Sequence, residues 1–156
     1  MIEKNIILLA ISLVFSLGTV NARGQDAEVQ QTSSPPEIIN LKGRDYTVSG
    51  ELPGEIVGIY RYEHGEPIVE IRADGTGLFQ PHGRPAIPIR IWVDVDEHGI
   101  PRREMGSELR YRYTLLIQYG DGGDGNYPPG SYDLMDATML KDDGIAVVLG
   151  ERIRML

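Results

Sequence analysis

Alternation of apolar and polar side chains is the strongest pattern in this chain, and its longest run covers residues 108–119. The apolar side of that run consists of Leu109, Tyr111, Tyr113, Leu115, Ile117 and Tyr119. The other side carries Arg110, Arg112, Thr114 and Gln118, and the run contains neither Gly nor Pro. A period of two sustained over this length predicts a long β-strand with one buried face.

Shorter runs of the same kind follow one another from residue 46 onward, separated by turn residues. Residues 87–96 alternate in the same way, and residues 55–62 place Tyr60 and Tyr62 on one face. Asp74-Gly75 predicts a tight hairpin turn between two early strands. No segment after residue 45 has a convincing helical period. The sequence therefore predicts an all-β fold, an antiparallel meander barrel or sandwich of eight or nine strands.

The first 22 residues have the features of a secretory signal peptide. Lys4 stands in a short polar start, an apolar region covers residues 6–15, and small residues precede a cleavage site after Ala22. A membrane anchor is the alternative, but the apolar run is shorter than the roughly 18 to 20 residues that a span needs. We therefore expect cleavage, a periplasmic or secreted protein, and no membrane span afterwards.

Residues 23–45 are polar and contain the run Gln-Gln-Thr-Ser-Ser-Pro-Pro. Such a composition buries too little apolar surface to offset chain entropy, so we interpret this segment as a flexible tether. An edge strand formed by Ile38, Ile39 and Leu41 is the alternative for its end. The β-barrel domain is predicted to cover residues 46–156.

Composition and charge exclude several classes of function. Asp and Glu outnumber Lys and Arg by 23 to 15, which gives a formal net charge of −8. A field of that sign repels phosphate backbones, so we do not expect nucleic acid as a partner. The chain has no Cys, and this excludes disulfides, thiolate metal sites and a cysteine nucleophile.

Three short motifs resemble a known family. They are Gly58-Ile59-Tyr60, the run Ile-Arg-Ala-Asp-Gly-Thr-Gly at residues 71–77, and Gly-Glu-Arg-Ile-Arg at residues 150–154. Together they resemble the lipocalin-like (calycin-type) domains of secreted proteins from Bacteroidetes-type bacteria. Lipocalins carry Gly-x-Trp and a helix near the C-terminus, whereas this chain has Tyr60 and no predicted helix there. The resemblance implies a small up-and-down barrel, which either holds one apolar ligand or fills its interior with side chains.

Five tyrosines are the candidate ligand-binding residues. We expect their side chains on the inward face of the barrel: Tyr60, Tyr62, Tyr111, Tyr113 and Tyr119. A tyrosine combines an apolar ring with a hydroxyl that needs a partner, so several around a cavity would suit a small hydrophobic molecule with a polar group. Cross-strand packing in an ordinary core is the alternative.

A glycine-rich loop follows the long strand and offers a candidate metal site. Asp121, Asp124 and Asn126 supply oxygen atoms on a flexible backbone, and such atoms suit Ca²⁺. The spacing is not that of an EF-hand, and Asp and Gly are also common in exposed loops. The alternative is a loop without metal, in a protein with no cofactor.

The chain offers little for catalysis. His64, His82 and His98 each stand next to or near Gly in predicted turns, with no nucleophile arranged beside them. We therefore predict no catalytic residues and a non-enzymatic binding domain, for a small hydrophobic ligand held in the barrel. The alternative is a structural or protein-interaction module of the cell envelope with a filled core, which would contact its partner around Trp92 or through an open edge strand. Burial of Trp92 under the N-terminal tether is an equally good explanation of an indole on the polar face of its strand.

Overall fold

The structure is a computed structural model that describes residues 35–141 and 145–155. The predicted signal peptide and the first part of the predicted tether lie outside the described residues. Within these ranges the elements are β1 (Glu37–Leu41), β2 (Arg44–Ser49), a 3-10 helix η1 (Gly54–Ile56), β3 (Gly58–Tyr62), β4 (Gly65–Ile71), β5 (Thr76–Gln80), β6 (Ile87–Asp94), β7 (Leu109–Tyr119), β8 (Tyr132–Leu140), β9 (Ile145–Val148) and β10 (Glu151–Met155).

Strands β3 to β10 form a closed antiparallel barrel of eight strands. Each strand pairs with the next one along the chain, and β10 returns to pair with β3 through Arg154 and Arg61. Strands β1 and β2 are additional and join the sheet where β2 pairs with the end of β6. The predicted all-β antiparallel barrel is confirmed, and the architecture is compatible with a lipocalin-like fold.

Strand β7 forms a wall of the barrel and follows the predicted alternation. Tyr111, Tyr113, Leu115, Ile117 and Tyr119 are all buried on its inward face. Inward side chains of its partners β6 and β8 meet those of β7 in one core. That core also contains residues at the two barrel ends, and its fully buried members include Ile56, Tyr60, Val69, Ile71, Phe79, Ile91, Val93 and Ile153.

The turn between β4 and β5 depends on Gly75. Its φ angle is +75°, in the left-handed region that favours glycine. A Cβ atom at this position would lie 2.6 Å from the carbonyl oxygen of Gly50 and 2.7 Å from that of Ile91. Asp74 supports the same turn because its carboxylate accepts a hydrogen bond from the Thr76 amide at 3.0 Å. The hairpin predicted at Asp74-Gly75 is confirmed.

A hairpin of β1 and β2 covers a second, smaller core on the outside of the barrel. Trp92, Leu116 and Val48 are buried there, with partly buried side chains from both strands of the hairpin packed against them. The indole nitrogen of Trp92 donates a hydrogen bond to Glu37 Oε1 at 3.3 Å. Trp92 is only 5% exposed, so the exposed contact patch is not observed, whereas burial under the N-terminal segment, the other expectation for this residue, is observed.

The hairpin also corrects the predicted limit of the tether. Residues 37–45 lie in β1, its turn and the start of β2, and the edge strand given as the alternative is the one observed. The turn places Lys42 and Gly43 at φ angles of 53° and 83°, the pattern of a type I′ turn. Ile39 and Leu41 belong to the second core, and this burial is the physical reason that the segment is ordered.

Helical structure is confined to η1 within the described part of the chain. Among the residues that the structure describes, no helix is long and apolar enough to cross a membrane.

Candidate functional site

Four of the five candidate tyrosines are buried inside the barrel, three of them near one end and Tyr119 near the other. Tyr60 on β3 and Tyr111, Tyr113 and Tyr119 on β7 are each between 1% and 4% exposed. Tyr62 lies apart from them and is 40% exposed. The register of β3 against β4 shifts between Arg61 and Tyr62, so the alternation that would turn Tyr62 inward is interrupted. The expected inward position of Tyr62 is therefore wrong.

The tyrosine hydroxyls near one end of the barrel donate hydrogen bonds to residues of η1. This end is where β3 begins, and we call it the η1 end. Tyr60 donates to the carbonyl oxygen of Ile56 at 2.7 Å, and Tyr111 donates to that of Glu55 at 2.7 Å. Tyr113 donates to the carboxylate of Glu55. The three phenols thus find their polar partners in the protein itself, on a helix that packs the buried Ile56 side chain into the same core.

Glu55 is held in place by a second partner on the other side. Arg103, from the connection between β6 and β7, donates from Nε to Glu55 Oε1 at 2.7 Å and from Nη2 to Oε2 at 3.3 Å. The hydrogen bond from the guanidinium of Arg103 is the main cause that lowers the pKa of Glu55. The hydrogen bond from Tyr113 lowers it further, and partial burial acts in the opposite direction and raises it. The carboxylate is therefore ionised at neutral pH and ties η1 to the barrel wall.

Burial and the bond to Glu55 raise the pKa of Tyr113 from 10.0 to about 12. A phenol whose pKa is raised by folding stabilises the protein fully below its unfolded pKa, and that stabilisation is lost as pH rises through the folded value. We therefore expect the melting temperature to fall between about pH 10 and about pH 12. Calorimetry across this range measures the slope, and Tyr113→Phe should make it shallower. An unchanged slope in the variant would contradict the assignment.

The opposite end of the barrel is closed by Tyr127, and we call it the Tyr127 end. The ring of Tyr127 meets Phe79 and Tyr119 edge to face, with ring centroids 5.4 Å and 5.2 Å apart. Edge-to-face pairs at this spacing are favourable beyond the area that they bury. The hydroxyl of Tyr119 donates to Asp133 Oδ2 at 3.1 Å. The protein's own side chains therefore occupy both ends of the space that the tyrosines share.

The candidate calcium ligands lie in the loop between β7 and β8. The Asp124 carboxylate accepts a hydrogen bond from the Asn126 amide at 2.8 Å and forms an ion pair with Arg84. Asp121 and Asn126 are exposed. Among the described residues, no three His, Cys, Asp or Glu side chains come close enough to hold a metal ion. Asp124 therefore has a structural role in this loop, and calcium binding stays a prediction.

The three histidines occupy exposed positions on turns and connections. His64 and His82 lie near the Tyr127 end, and His98 lies in the turn that follows β6. The imidazole Nε2 of His98 is 3.5 Å from a carboxylate oxygen of Glu97, and both side chains are exposed. The absence of an enzymatic activity stays a prediction.

Three residues at the ends of the barrel were not predicted from the sequence: Glu55, Arg103 and Tyr127. Glu55 and Arg103 are 48 residues apart in the chain, so no local pattern joins them. Tyr127 did carry a signal, because it is an aromatic residue inside an otherwise polar loop. Its place is fixed by the loop backbone, which passes so close to Gly123 that a Cβ atom there would collide with the carbonyl oxygen of Tyr127.

The depressions on the outer surface of the described residues include two on the barrel strands. The first has a volume of about 360 Å³ and lies across β5, β6 and β7, and its lining includes Leu78, Pro88, Arg72 and Arg90. The second, which we call the β10 groove, has a volume of about 290 Å³. Its lining consists of Tyr62, Glu63, Ile145, Arg152, Ile153 and Arg154.

Comparison of the chain with protein-family models, with curated proteins and with solved structures gave no significant match. The description of the fold therefore rests on the strand pairing alone.

Proposed function

We propose that this protein is a secreted or periplasmic, non-enzymatic barrel domain that binds its partner through its outer surface. It would serve as a structural or protein-interaction module of the cell envelope. The barrel would act as a rigid scaffold with a filled interior, and the side chains that recognise a partner would point away from it.

One observation supports this proposal: the tyrosine hydroxyls inside the barrel donate hydrogen bonds to other groups of the protein. A cavity built for a small molecule presents a few polar groups that are aimed at the ligand. Here Tyr60, Tyr111 and Tyr113 donate to η1, and Tyr119 donates to Asp133. A ligand in the barrel would either have to displace these hydrogen bonds or receive no hydrogen bond from the four hydroxyls. Both cases weaken its binding.

A lipocalin-like origin belongs to the same proposal. Gly58-Ile59-Tyr60 stands at the start of β3, and Asp74-Gly75 joins β4 to β5. The last motif, at residues 150–154, falls on β10, which closes the barrel. A chain derived from a ligand-carrying barrel could keep its strands and turns while larger side chains fill the interior.

A small hydrophobic ligand inside the barrel is the second candidate function. The observation in its favour is that Tyr60, Tyr111, Tyr113 and Tyr119 do share one enclosed face. In that case the bonds to η1 would be those of an empty state, and η1 would have to move for the ligand to enter.

Native mass spectrometry of the purified protein separates the two functions. We expect a single species with the mass of the polypeptide alone, both directly after purification and after incubation with a mixture of fatty acids and retinoids. A ligand-carrying lipocalin treated in the same way is the positive control, because it should appear with a bound fatty acid or retinoid. A stoichiometric adduct on the wild-type protein would contradict the filled interior.

A further inference from the structure

A polar cleft lies between the β1–β2 hairpin and the connection that follows β6, and we call it the hairpin cleft. Its volume is about 340 Å³, near the lower end of the range of about 300–1,000 Å³ that is usual for small-molecule sites. None of the four buried tyrosines belongs to it. Its lining consists of Arg44, Asp45, Tyr46, Thr47, Asp94, Val95 and Arg102.

Two arginines of the hairpin cleft share one partly buried carboxylate, that of Asp94. The Asp94 side chain is 26% exposed, and its Oδ2 lies 3.3 Å from Nε of Arg102. Burial raises the pKa of Asp94, while the positive charges of Arg102 and Arg44 act in the opposite direction. Both guanidinium groups are therefore close enough to interact with the same carboxylate, and an anion that enters the cleft meets both of them.

The guanidinium group of Arg44 has no ion pair of its own. Within residues 35–141 and 145–155, no carboxylate oxygen lies within 4.0 Å of its nitrogen atoms. Its central carbon lies 5.0 Å from the centre of the Tyr46 ring, a cation–π contact that keeps it at the cleft. The second acidic side chain of the lining, Asp45, accepts a hydrogen bond from the Asn40 side chain at 2.6 Å. The cleft thus offers an anion one guanidinium group that lacks a carboxylate partner.

The backbone of β2 is open on the side of the cleft. The two-residue turn makes Leu41 and Arg44 a hydrogen-bonded pair, and such pairs alternate along an antiparallel ladder. The backbone amide and carbonyl groups of Asp45 and Thr47 therefore point away from β1. The Val95 amide donates to the Thr47 carbonyl oxygen at 2.9 Å, and β6 pairs with β2 only beyond Thr47. In the described part of the chain, Asp45 thus has no strand beside it on this side.

We propose that the hairpin cleft binds the C-terminal end of an extended segment of a partner protein. The terminal carboxylate binds to Arg44 and Arg102, whose guanidinium groups donate in a fork that matches carboxylate oxygens. The backbone of the last residues pairs with Asp45, as in other cases of strand addition. The net charge of −8 gives no general attraction to anions, so binding depends on this local site. The inference rests on the proposed function, because it takes the outer surface as the part that binds a partner.

The test is an NMR titration of the isotope-labelled protein with the peptide acetyl-Ala-Val-Ala, which ends in a free carboxylate. The same peptide with a C-terminal amide lacks the charge, sodium acetate supplies the carboxylate alone, and sodium glucuronate presents it on a sugar. We expect saturable shifts of the amide signals of residues 44–47 and 94–102. The free-acid peptide should bind about tenfold more tightly than each of the three comparison compounds.

Each comparison compound can overturn one part of the proposal. Equal binding of the amidated peptide would overturn the role of the arginines. Equal binding of acetate would indicate an adventitious ion only, and equal or tighter binding of glucuronate would replace the peptide by an acidic sugar as the occupant. If none of the four compounds binds, the hairpin cleft is not a site.

Two charge-removing variants make the assignment specific. Arg44→Gln should weaken binding of the free-acid peptide about tenfold, to an affinity close to that of the amidated peptide. Lys42→Gln is the matched control, because it removes the same charge from the turn of the same hairpin, outside the cleft lining. Both side chains are exposed, so both variants should fold, and Lys42→Gln should leave the affinity unchanged. An equal loss of affinity in the Lys42 variant would overturn the proposal.

Hydrogen exchange tests the strand addition without a substitution. The backbone amide of Asp45 should exchange more slowly when the free-acid peptide is bound, because it then donates to the peptide backbone. The amide of Asn40, directly opposite on β1, is the control and should exchange at an unchanged rate. Unchanged exchange at Asp45 under saturating peptide would overturn the backbone pairing.

The location of the shifts separates this inference from the proposed function. If the peptide does not bind at all, the cleft is overturned as a site, while the filled interior still stands or falls by native mass spectrometry. If instead the signals of Tyr113, Leu115 and Ile117 shift, the peptide enters the barrel. That result would overturn both the cleft site and the proposed function.

Discussion

Replacement of Tyr60 by alanine is expected to lower the free energy of unfolding by about 3–5 kcal/mol. The ring is 1% exposed inside the barrel, and its hydroxyl donates to the carbonyl oxygen of Ile56 at 2.7 Å. Truncation would leave a cavity with few ways to collapse, because the closed strand ladder fixes the wall. It would also remove the partner of a buried carbonyl group. Urea unfolding followed by circular dichroism measures the loss.

Tyr62→Ala is the matched control, since it makes the same change two residues further along β3. Tyr62 is 40% exposed, so its loss should change the free energy of unfolding by no more than about 0.5 kcal/mol. If Tyr60 bordered an existing cavity, its truncation would only enlarge that space and would cost much less. A difference between the two variants below about 1 kcal/mol would therefore contradict a filled interior.

Trp92→Ala is expected to destabilise the protein by about 3–5 kcal/mol and to release the β1–β2 hairpin. Trp92 is the largest side chain of the second core and packs beside Tyr132, with ring centroids 6.1 Å apart. The hairpin is joined to the barrel by two residue pairs with β6, so its order depends on this packing. Urea unfolding measures the loss, and hydrogen exchange of the amides in β1 and β2 shows the release.

Ile38→Ala supplies the control for this second prediction. Ile38 lies on β1 in the same hairpin but is 72% exposed, so its truncation should leave stability within about 0.5 kcal/mol and exchange protection unchanged. Retention of hairpin protection in the Trp92 variant would show that something other than the second core holds β1 and β2 in place.

Periodicity predicted the barrel walls well because it reports burial on one face, which is a local property. The inward face of β7 and the strand within residues 87–96 follow directly from alternation. The same rule failed at Tyr62, where the register shift after Arg61 interrupts the alternation. A shift of that kind is set by the partner strand, so a single run of residues does not reveal it.

The hairpin of β1 and β2 could be predicted only as an alternative. Its apolar residues Ile39 and Leu41 follow a long polar segment, and composition averaged over that segment favours a tether. What orders them is the outward pair of Trp92 and Leu116 on β6 and β7. The second core therefore lies on the face of β6 and β7 that the sequence pattern marks as polar. Trp92, a large apolar residue on that face, was the indication of it in the sequence.

The candidate site was the least predictable part of the molecule. The type of residue was informative, because tyrosines at alternate positions did indicate an enclosed aromatic cluster. The hydrogen-bond partners of their hydroxyls could not be predicted, because Glu55 lies 56 and 58 residues before Tyr111 and Tyr113 in the chain. Those partners decide between a binding cavity and a filled core, and they depend on closure of the whole barrel.

A crystal structure determined under xenon pressure shows directly whether the barrel interior is filled. Xenon enters apolar cavities that protein atoms leave empty. We expect no xenon atom inside the barrel between Tyr60 on β3 and Tyr113 on β7, and a bound atom at that place in the Tyr60→Ala protein. Xenon in the wild-type interior, or continuous density for a bound molecule there, would contradict a filled interior.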